Sequence, residues 1–270
     1  MDLELLSILT KDKISYPAED IAALWKTVLL NQFHDILPGT SIKGVYEVTK
    51  KEYEEIKEKL QLLVNKRLEL LTENKEGITL VNTLGFDRSD IVKLPPCQGN
   101  VLIDEEGNEY PIQATEEGAV AYVKNLPSKG YRHYSLYDIS SKENEQLIPK
   151  DDYTLETPYY TIKLDEKGLF TSIYDKEYDR EILQENMKGN LMMMYEDKPI
   201  YYDAWDIDMY YTEKSWPVEE LSSMEWIDLG EVRATLKLER KIASSRIVQK
   251  IHFYKDSRRI DFETYVDWKE

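Results

Sequence analysis

Up to Thr72 the apolar residues of this chain recur at steps of three and four, and from Ile78 onward at steps of two. The first spacing lines side chains along one stripe of a helix; the second sets them on one face of a strand. Helices come first and strands follow, without the strand–helix alternation that builds a parallel sheet. The expected class is therefore α+β: a helical hairpin or small helical bundle, then an antiparallel β-sandwich. Three consecutive regions are expected: helical over 1–75, a small β region over 76–140 and a partial sandwich over 141–270.

Residues 1–13 read as a short helical piece carrying Leu3, Leu5, Leu6, Ile8 and Leu9. Ser15-Tyr16-Pro17 opens a helix that the spacing carries to about Phe33, with Pro17 suited to an early helical position. At about 100° per residue, Ile21, Leu24, Trp25, Val28, Leu29 and Gln32 share a stripe. Asp35 falls at its edge and His34 nearly opposite. Pro38-Gly39 is a stop signal. Thr40 or Ser41 can cap the next helix, which runs to about Thr72 through Ile42, Val45, Ile56, Leu60, Leu63 and Leu70. Such a length fits an antiparallel partner. His34-Asp35 interrupts the apolar pattern with two good metal or sugar ligands; a capping Asp beside a surface His accounts for the same pair. A catalytic zinc takes about three protein ligands, and no HxxxH or HxD spacing occurs.

Strands are expected over 78–81, 90–94, 101–103, 109–112, 119–123 and 131–137, with a Gly-containing turn at 104–108. The polar stretch 140–152 reads as a linker. Beyond it, 159–164 and 169–174 make a hairpin around 165–168, and 231–240, 246–254 and 259–266 are three further alternating strands. The last of these is expected to present an unpaired edge. Before them, Asp203, Asp206 and Asp208 stand among Tyr201, Tyr202, Trp205, Tyr210 and Tyr211. One reading is a sugar-binding loop, with Trp205 stacking and Asp206 or Asp208 accepting hydroxyls. A second is a partly buried loop anchored by Trp205. A third is a hard-cation site, but no Gly turn or closing Glu of a calcium loop follows. Adjacent acids such as Glu105-Glu106 point to opposite strand faces and form no acid/base pair.

With 52 acidic against 35 basic residues the formal net charge is −17, and the acids are spread along the chain, which argues against a nucleic-acid partner. Cys97 is alone, so no internal disulfide forms. No run approaches the about 20 apolar residues of a membrane span. These features fit a cytoplasmic protein with no membrane association. No P-loop, dinucleotide fingerprint or G-x-S-x-G elbow is present.

The stretch LWKTVLLNQFHDILPGTSI at 24–42, followed by VYEVTKKEY at 45–53, resembles the signature of glycoside hydrolase family 38, the α-mannosidases. Residues 81–86 with Arg88, 171–175 and 180–183 resemble the β regions of the same family, and 203–206 a DAWD-like segment of its cytosolic and bacterial branch. The resemblance implies a galactose-mutarotase-like sandwich and a zinc-dependent retaining glycosidase acting on α-mannosides. By position it makes His34 one of four Zn2+ ligands and Asp35 a binder of sugar hydroxyls beside the metal. It places the nucleophile, the acid/base and the other zinc ligands in an α/β domain ahead of residue 1. No catalytic residue is then expected within these residues. His133 and His252 lie in strand-like segments without an HxD. The chain is thus expected to be an internal piece of a larger enzyme, inactive alone and holding no stoichiometric zinc. Its partners would be α-mannoside glycans, the catalytic domain and, as an open option, a second copy in a homo-oligomer. A non-catalytic carbohydrate-binding or scaffolding β-sandwich with a helical adaptor is the alternative.

Overall fold

The structure, a computed structural model, describes residues 1–72, 75–139, 145–203 and 205–269. Part of the expected linker, 140–144, lies outside the described residues. Three α-helices come first, α1 (Asp2–Leu9), α2 (Ala18–Asn31) and α3 (Lys43–Thr72). The strands that follow are β1 (Ile78–Asn82), β2 (Arg88–Leu94), β3 (Val101–Asp104), β4 (Glu109–Thr115), β5 (Gly118–Leu126), β6 (Gly130–Tyr137), β7 (Thr154–Glu156) and β8 (Tyr160–Leu164). They continue with β9 (Phe170–Asp175), β10 (Arg180–Glu181), β11 (Met193–Tyr195), β12 (Ser215–Pro217), β13 (Leu221–Ile227), β14 (Arg233–Ile242), β15 (Ser245–Tyr254) and β16 (Ile260–Asp267). Residues 1–87, 126–132 and 197–211 form one compact unit, and 88–125, 133–196 and 212–270 a second.

In the first unit, α2 and α3 lie antiparallel. Arg67 Nη2 donates to the Ser15 carbonyl at 3.4 Å, Lys59 pairs with Asp20 at 2.7 Å, and Asn31 Nδ2 donates to Glu52 at 2.7 Å. The partners run up one helix as they run down the other. Leu3 and Leu6 are the buried side of α1, and Ile21 that of α2. At about 1.5 Å per residue α3 is about 45 Å long.

The expectation that α2 reaches Phe33 is corrected: it ends at Asn31, with Gln32 as its C-cap. The reversal into α3 occupies 32–42, so the last expected turn unwinds into that corner. Asn31 helps end the helix by turning its amide back to the Thr27 carbonyl, 3.0 Å, while it holds Glu52.

β1 ends in a knot tied by Asn82. Its Nδ2 faces the carbonyls of Phe86, Leu126 and Pro127 at 2.8, 3.2 and 3.1 Å, and its Oδ1 accepts from the Leu84 N–H at 3.1 Å. Asn82 is buried, so each of these groups depends on it. Asn82→Asp turns an acceptor toward three carbonyls and is expected to cost about 2–3 kcal/mol; urea unfolding checks it, and a loss below about 0.5 kcal/mol would contradict the role.

The second unit is antiparallel sheet throughout its paired strands. One sheet runs β6-β3-β4-β5-β2, a second β10-β9-β8-β7, and a third β13-β14-β15-β16; β11 and β12 make a separate pair. The second and third sheets pack face to face as the β-sandwich. Leu155, Ile162, Leu164 and Phe170 from one side meet Ala234, Leu236, Leu238, Ile251 and Phe253 from the other. The expected hairpin at 165–168 closes at Gly168, φ +68, where a Cβ would stand 2.7 Å from Leu238 Cδ2; the turn thus rides directly on the neighbouring sheet.

β13 was not expected. Its register slips between Leu221 and Ser223, so the half-buried Leu221, Met224 and Trp226 are spaced three and then two apart. A bulge inserts one residue and hides the period of two.

β14 and β15 show what alternation achieves. Even positions of β14 and odd positions of β15 form the sandwich core. The opposite face carries Arg233 and Thr235 from β14, Lys250, His252 and Tyr254 from β15, and Asp261 and Glu263 from β16, with Thr235 opposite His252 and His252 opposite Asp261. This face meets the β2–β5 sheet through polar groups. Lys250 reaches Glu117 at 2.5 Å, Arg259 reaches Asp90 at 2.7 Å, and Lys93 reaches Glu263 at 3.6 Å. Gln113 on β4 is the clasp. Its Oε1 accepts from the Val232 and Arg233 N–H groups at 2.9 and 2.8 Å, and its Nε2 donates to the Asp228 and Arg233 carbonyls.

Candidate functional site

The corner between α2 and α3 is built around Asp35. Its backbone carbonyl accepts from the Ser41 hydroxyl at 2.9 Å, the Thr40 hydroxyl at 3.2 Å and the Tyr46 hydroxyl at 3.2 Å. Tyr46 Oη in turn accepts from the Ser41 N–H at 2.9 Å. Thr40 and Ser41, expected as caps of α3, direct their hydroxyl hydrogens to Asp35. The carboxylate stands at the surface of this knot, with Oδ1 3.3 Å from Thr40 Oγ1 and Oδ2 3.5 Å from His34 Nε2. His34 stacks tilted on Phe33 with ring centroids 4.2 Å apart, and its side chain is 72% exposed.

The helical-wheel placement of this pair is therefore corrected. Neither residue is on α2, so His34 does not project opposite Asp35. The turn that follows Asn31 brings both functional groups to one side, in contact. The corner offers one imidazole nitrogen and one carboxylate on a backbone held by three hydroxyls. Tyr46, which sequence reasoning missed, fixes the corner from the first turns of α3. The available signal was a tyrosine in the first turn of α3, close behind a Thr-Ser pair that follows Pro-Gly.

The loop at 197–211 belongs to the same compact unit. Trp205 is 61% exposed, so it is no buried anchor, and Tyr201, Tyr202 and Ile207 are more exposed still. The loop has an internal frame. The Trp205 and Asp206 N–H groups both donate to the Tyr202 carbonyl, at 2.7 and 2.9 Å, and Tyr202 holds φ +57. Asp208 Oδ2 accepts from the Ile200 N–H at 2.8 Å. Asp208 thus closes the loop with one carboxylate oxygen, while Asp206 lies on its exposed rim.

Zinc takes four ligands in a closed protein site and about three plus water in a catalytic one. Among the described residues no group of three or more His, Cys, Asp or Glu side chains is placed to hold a metal ion. His133 lies on β6. His252 is buried on β15, where Nδ1 stands 2.9 Å from Thr235 Oγ1. The described residues do not by themselves fit a complete zinc site.

The fold and corner place the chain in a defined structural class. An alpha-mannosidase from Enterococcus faecalis V583 superposes with TM-score 0.71 at 15% identity, over 98% of this chain and 39% of that one. A glycosyl hydrolase family 38 protein from Enterococcus faecalis gives TM-score 0.73 at 14% identity, over 98% and 42%. The likeness is one of fold, an α+β arrangement with a β-sandwich.

The sequence carries the assignment further. Residues 1–71 match the alpha mannosidase middle domain, and residues 155–270 the glycosyl hydrolases family 38 C-terminal domain. The chain belongs to glycosyl hydrolase family 38. It is 28% identical over 279 residues to Alpha-mannosidase 2C1 of Homo sapiens, covering 100% of this chain and 26% of that protein. It is 22% identical over 303 residues to Alpha-mannosidase G of Dictyostelium discoideum, covering 94% of this chain and 27% of that protein. The chain thus spans about a quarter of the length of these relatives.

Proposed function

We propose that these residues are the middle and C-terminal part of a zinc-dependent retaining α-mannosidase that hydrolyses terminal α-mannosides of glycans in the cytoplasm. The observation that carries this reading is the His34–Asp35 corner, which lies within the stretch that matches the mannosidase middle domain. In this reading His34 gives one nitrogen to a zinc ion whose other ligands come from outside these residues. When bound, such an ion supplies Lewis acidity and a template for hydroxyls. Asp35 accepts sugar hydroxyls through the carboxylate lone pairs that Thr40 and His34 leave unused. Trp205 offers an apolar face to a sugar ring, and Asp206 accepts a hydroxyl at the rim. Asp208, first expected to bind sugar, acts mainly by closing the loop. A retaining mechanism needs two carboxylates about 5–5.5 Å apart, and the reading places both in another domain.

No helix among the described residues is long and apolar enough to cross a membrane. The cytoplasmic assignment rests on the acidic composition and the single cysteine.

The test compares the 270-residue chain with a version that carries the remaining length seen in its relatives, each on an aryl α-mannoside with zinc measured by elemental analysis. The longer protein is expected to turn over and hold zinc; the 270-residue chain is expected to do neither. His34→Ala in the longer protein is expected to lose about 100-fold or more in turnover, above the usual cost of outer-sphere changes, together with its zinc. Turnover by the shorter chain, or a fully active His34→Ala, would overturn the reading. Retained glycan binding by the shorter chain, lost on Trp205→Ala, would favour a carbohydrate-binding module; the exposure of Trp205 makes that the second reading.

A further inference from the structure

The sandwich sheet β13–β16 has two unlike faces. One is the apolar core. The other, toward the β2–β5 sheet, is a polar seam with a histidine buried in it. His252 is only 4% exposed. Its Nδ1 meets Thr235, but its Nε2 makes no hydrogen bond and stands 3.5 Å from Glu263.

The charges around it are named strand by strand. β14 brings Arg233 and β16 brings Asp261 and Glu263. From its own strand come Lys250 and Tyr254. From the facing sheet come Asp90 and Lys93 on β2, and Glu116 and Glu117 at the β4–β5 turn, both on Lys250 at 3.5 and 2.5 Å. Asp261 is taken up by Arg259 at 2.9 Å and by the Tyr254 hydroxyl at 2.7 Å. That leaves Glu263, half-exposed and shared with Lys93, as the counter-charge for an imidazolium. A second proton at this place would therefore sit near Arg233, which Asp228 already holds at 2.7 Å, and near Lys93, with Glu263 as the one carboxylate left to share.

We propose that the seam between the β2–β5 sheet and the sandwich is an acid-labile latch, and that His252 is its trigger. At neutral pH a neutral imidazole fills the seam. Burial, and then Arg233, hold the His252 pKa below its ordinary 6.5, against the smaller pull of Glu263 and Asp261. Between that depressed value and about 6.5 the opened chain binds a proton that the closed seam refuses. Closure is therefore favoured fully above about pH 6.5 and weakens as pH falls through this window. For one linked proton the opening constant rises by at most about tenfold per pH unit. Among the described residues the buried sandwich core holds no histidine: its facing surfaces are Leu, Ile, Phe, Ala and Tyr160. Acid should release the β2–β5 sheet while β8 and β9 stay closed.

Native-state hydrogen exchange on the full chain, corrected for intrinsic rates, tests this between pH 7.5 and 5. Amides of β4 and β5 are expected to lose protection on acidification while those of β8 and β9 keep it. His252→Gln should flatten the pH dependence at β4 and β5. Glu263→Gln, a milder change on an exposed residue, should steepen it by removing the shared carboxylate. A proton NMR titration of His252 in the unmodified chain should give a pKa below 6.5. A value at or above 6.5, equal loss in both sheets, or an unaltered pH dependence in His252→Gln or Glu263→Gln would overturn the proposal.

Discussion

Asp228→Ala is expected to lower the stability of the second unit by about 3–5 kcal/mol, the cost of leaving a buried charge without its partner. Asp228 Oδ2 pairs with Arg233 Nη2 at 2.7 Å, and their side chains are 4% and 6% exposed. Arg233 Nε already lacks a partner among the described residues, so the guanidinium would lose its one carboxylate. The same substitution removes the Oδ1 that accepts from the Glu116 N–H at 2.9 Å. It also places alanine at φ +50, a backbone region that aspartate tolerates better. The losses have one location, the start of β14, and urea midpoints measure them. Asp228→Ala combined with Arg233→Met should recover part of the loss, because no charge is then stranded. A single-variant loss under about 1 kcal/mol, or a double variant worse than the single, would show that the pair does not support the seam.

Phe253→Ala is expected to cost about 3–5 kcal/mol through the cavity it leaves. Phe253 is fully buried on β15 and lies between Phe170, centroid distance 6.3 Å at 74°, and Trp226 at 5.8 Å. It bridges β9 across the sandwich to β13 at the sheet edge. Phe262 provides the control. It also meets Phe170, at 6.0 Å, but is 47% exposed on the edge strand β16. Phe262→Ala should cost about 1 kcal/mol, since less surface is removed from water on folding. Denaturant midpoints should separate the two variants with the slope unchanged. Equal losses would mean that the edge of the sheet, and not the sandwich core, limits stability.

The long helix α3 was legible because its apolar residues keep helical spacing with no Pro or Gly from Val45 to Thr72. The strands from β14 to β16 were legible because their alternation is unbroken. β13 was not, because one extra residue displaces the pattern. The short β7, β10, β11 and β12 were not, because two or three residues cannot display a period. The end of α2 was misjudged for a different reason. Leu30 and Phe33 continue a helical apolar pattern, yet the chain must reverse there to bring α3 alongside. The candidate site shares this division: His34 and Asp35 stood out as polar residues in an apolar run, but their contact follows from the turn.

Residue order alone established the passage from helix to sheet, the two faces of each long strand, and the two stretches with the chemistry to bind a metal or a sugar. Those follow from local periods and local side-chain chemistry, which act over a few residues. Folding in three dimensions settled what the second face of β14 and β15 meets, that Gln113 reaches the loop before β14, and that Asp208 closes a loop with its carboxylate. Those contacts join residues far apart in the chain. Their energies depend on burial and hydrogen-bond geometry, which no short window of sequence contains.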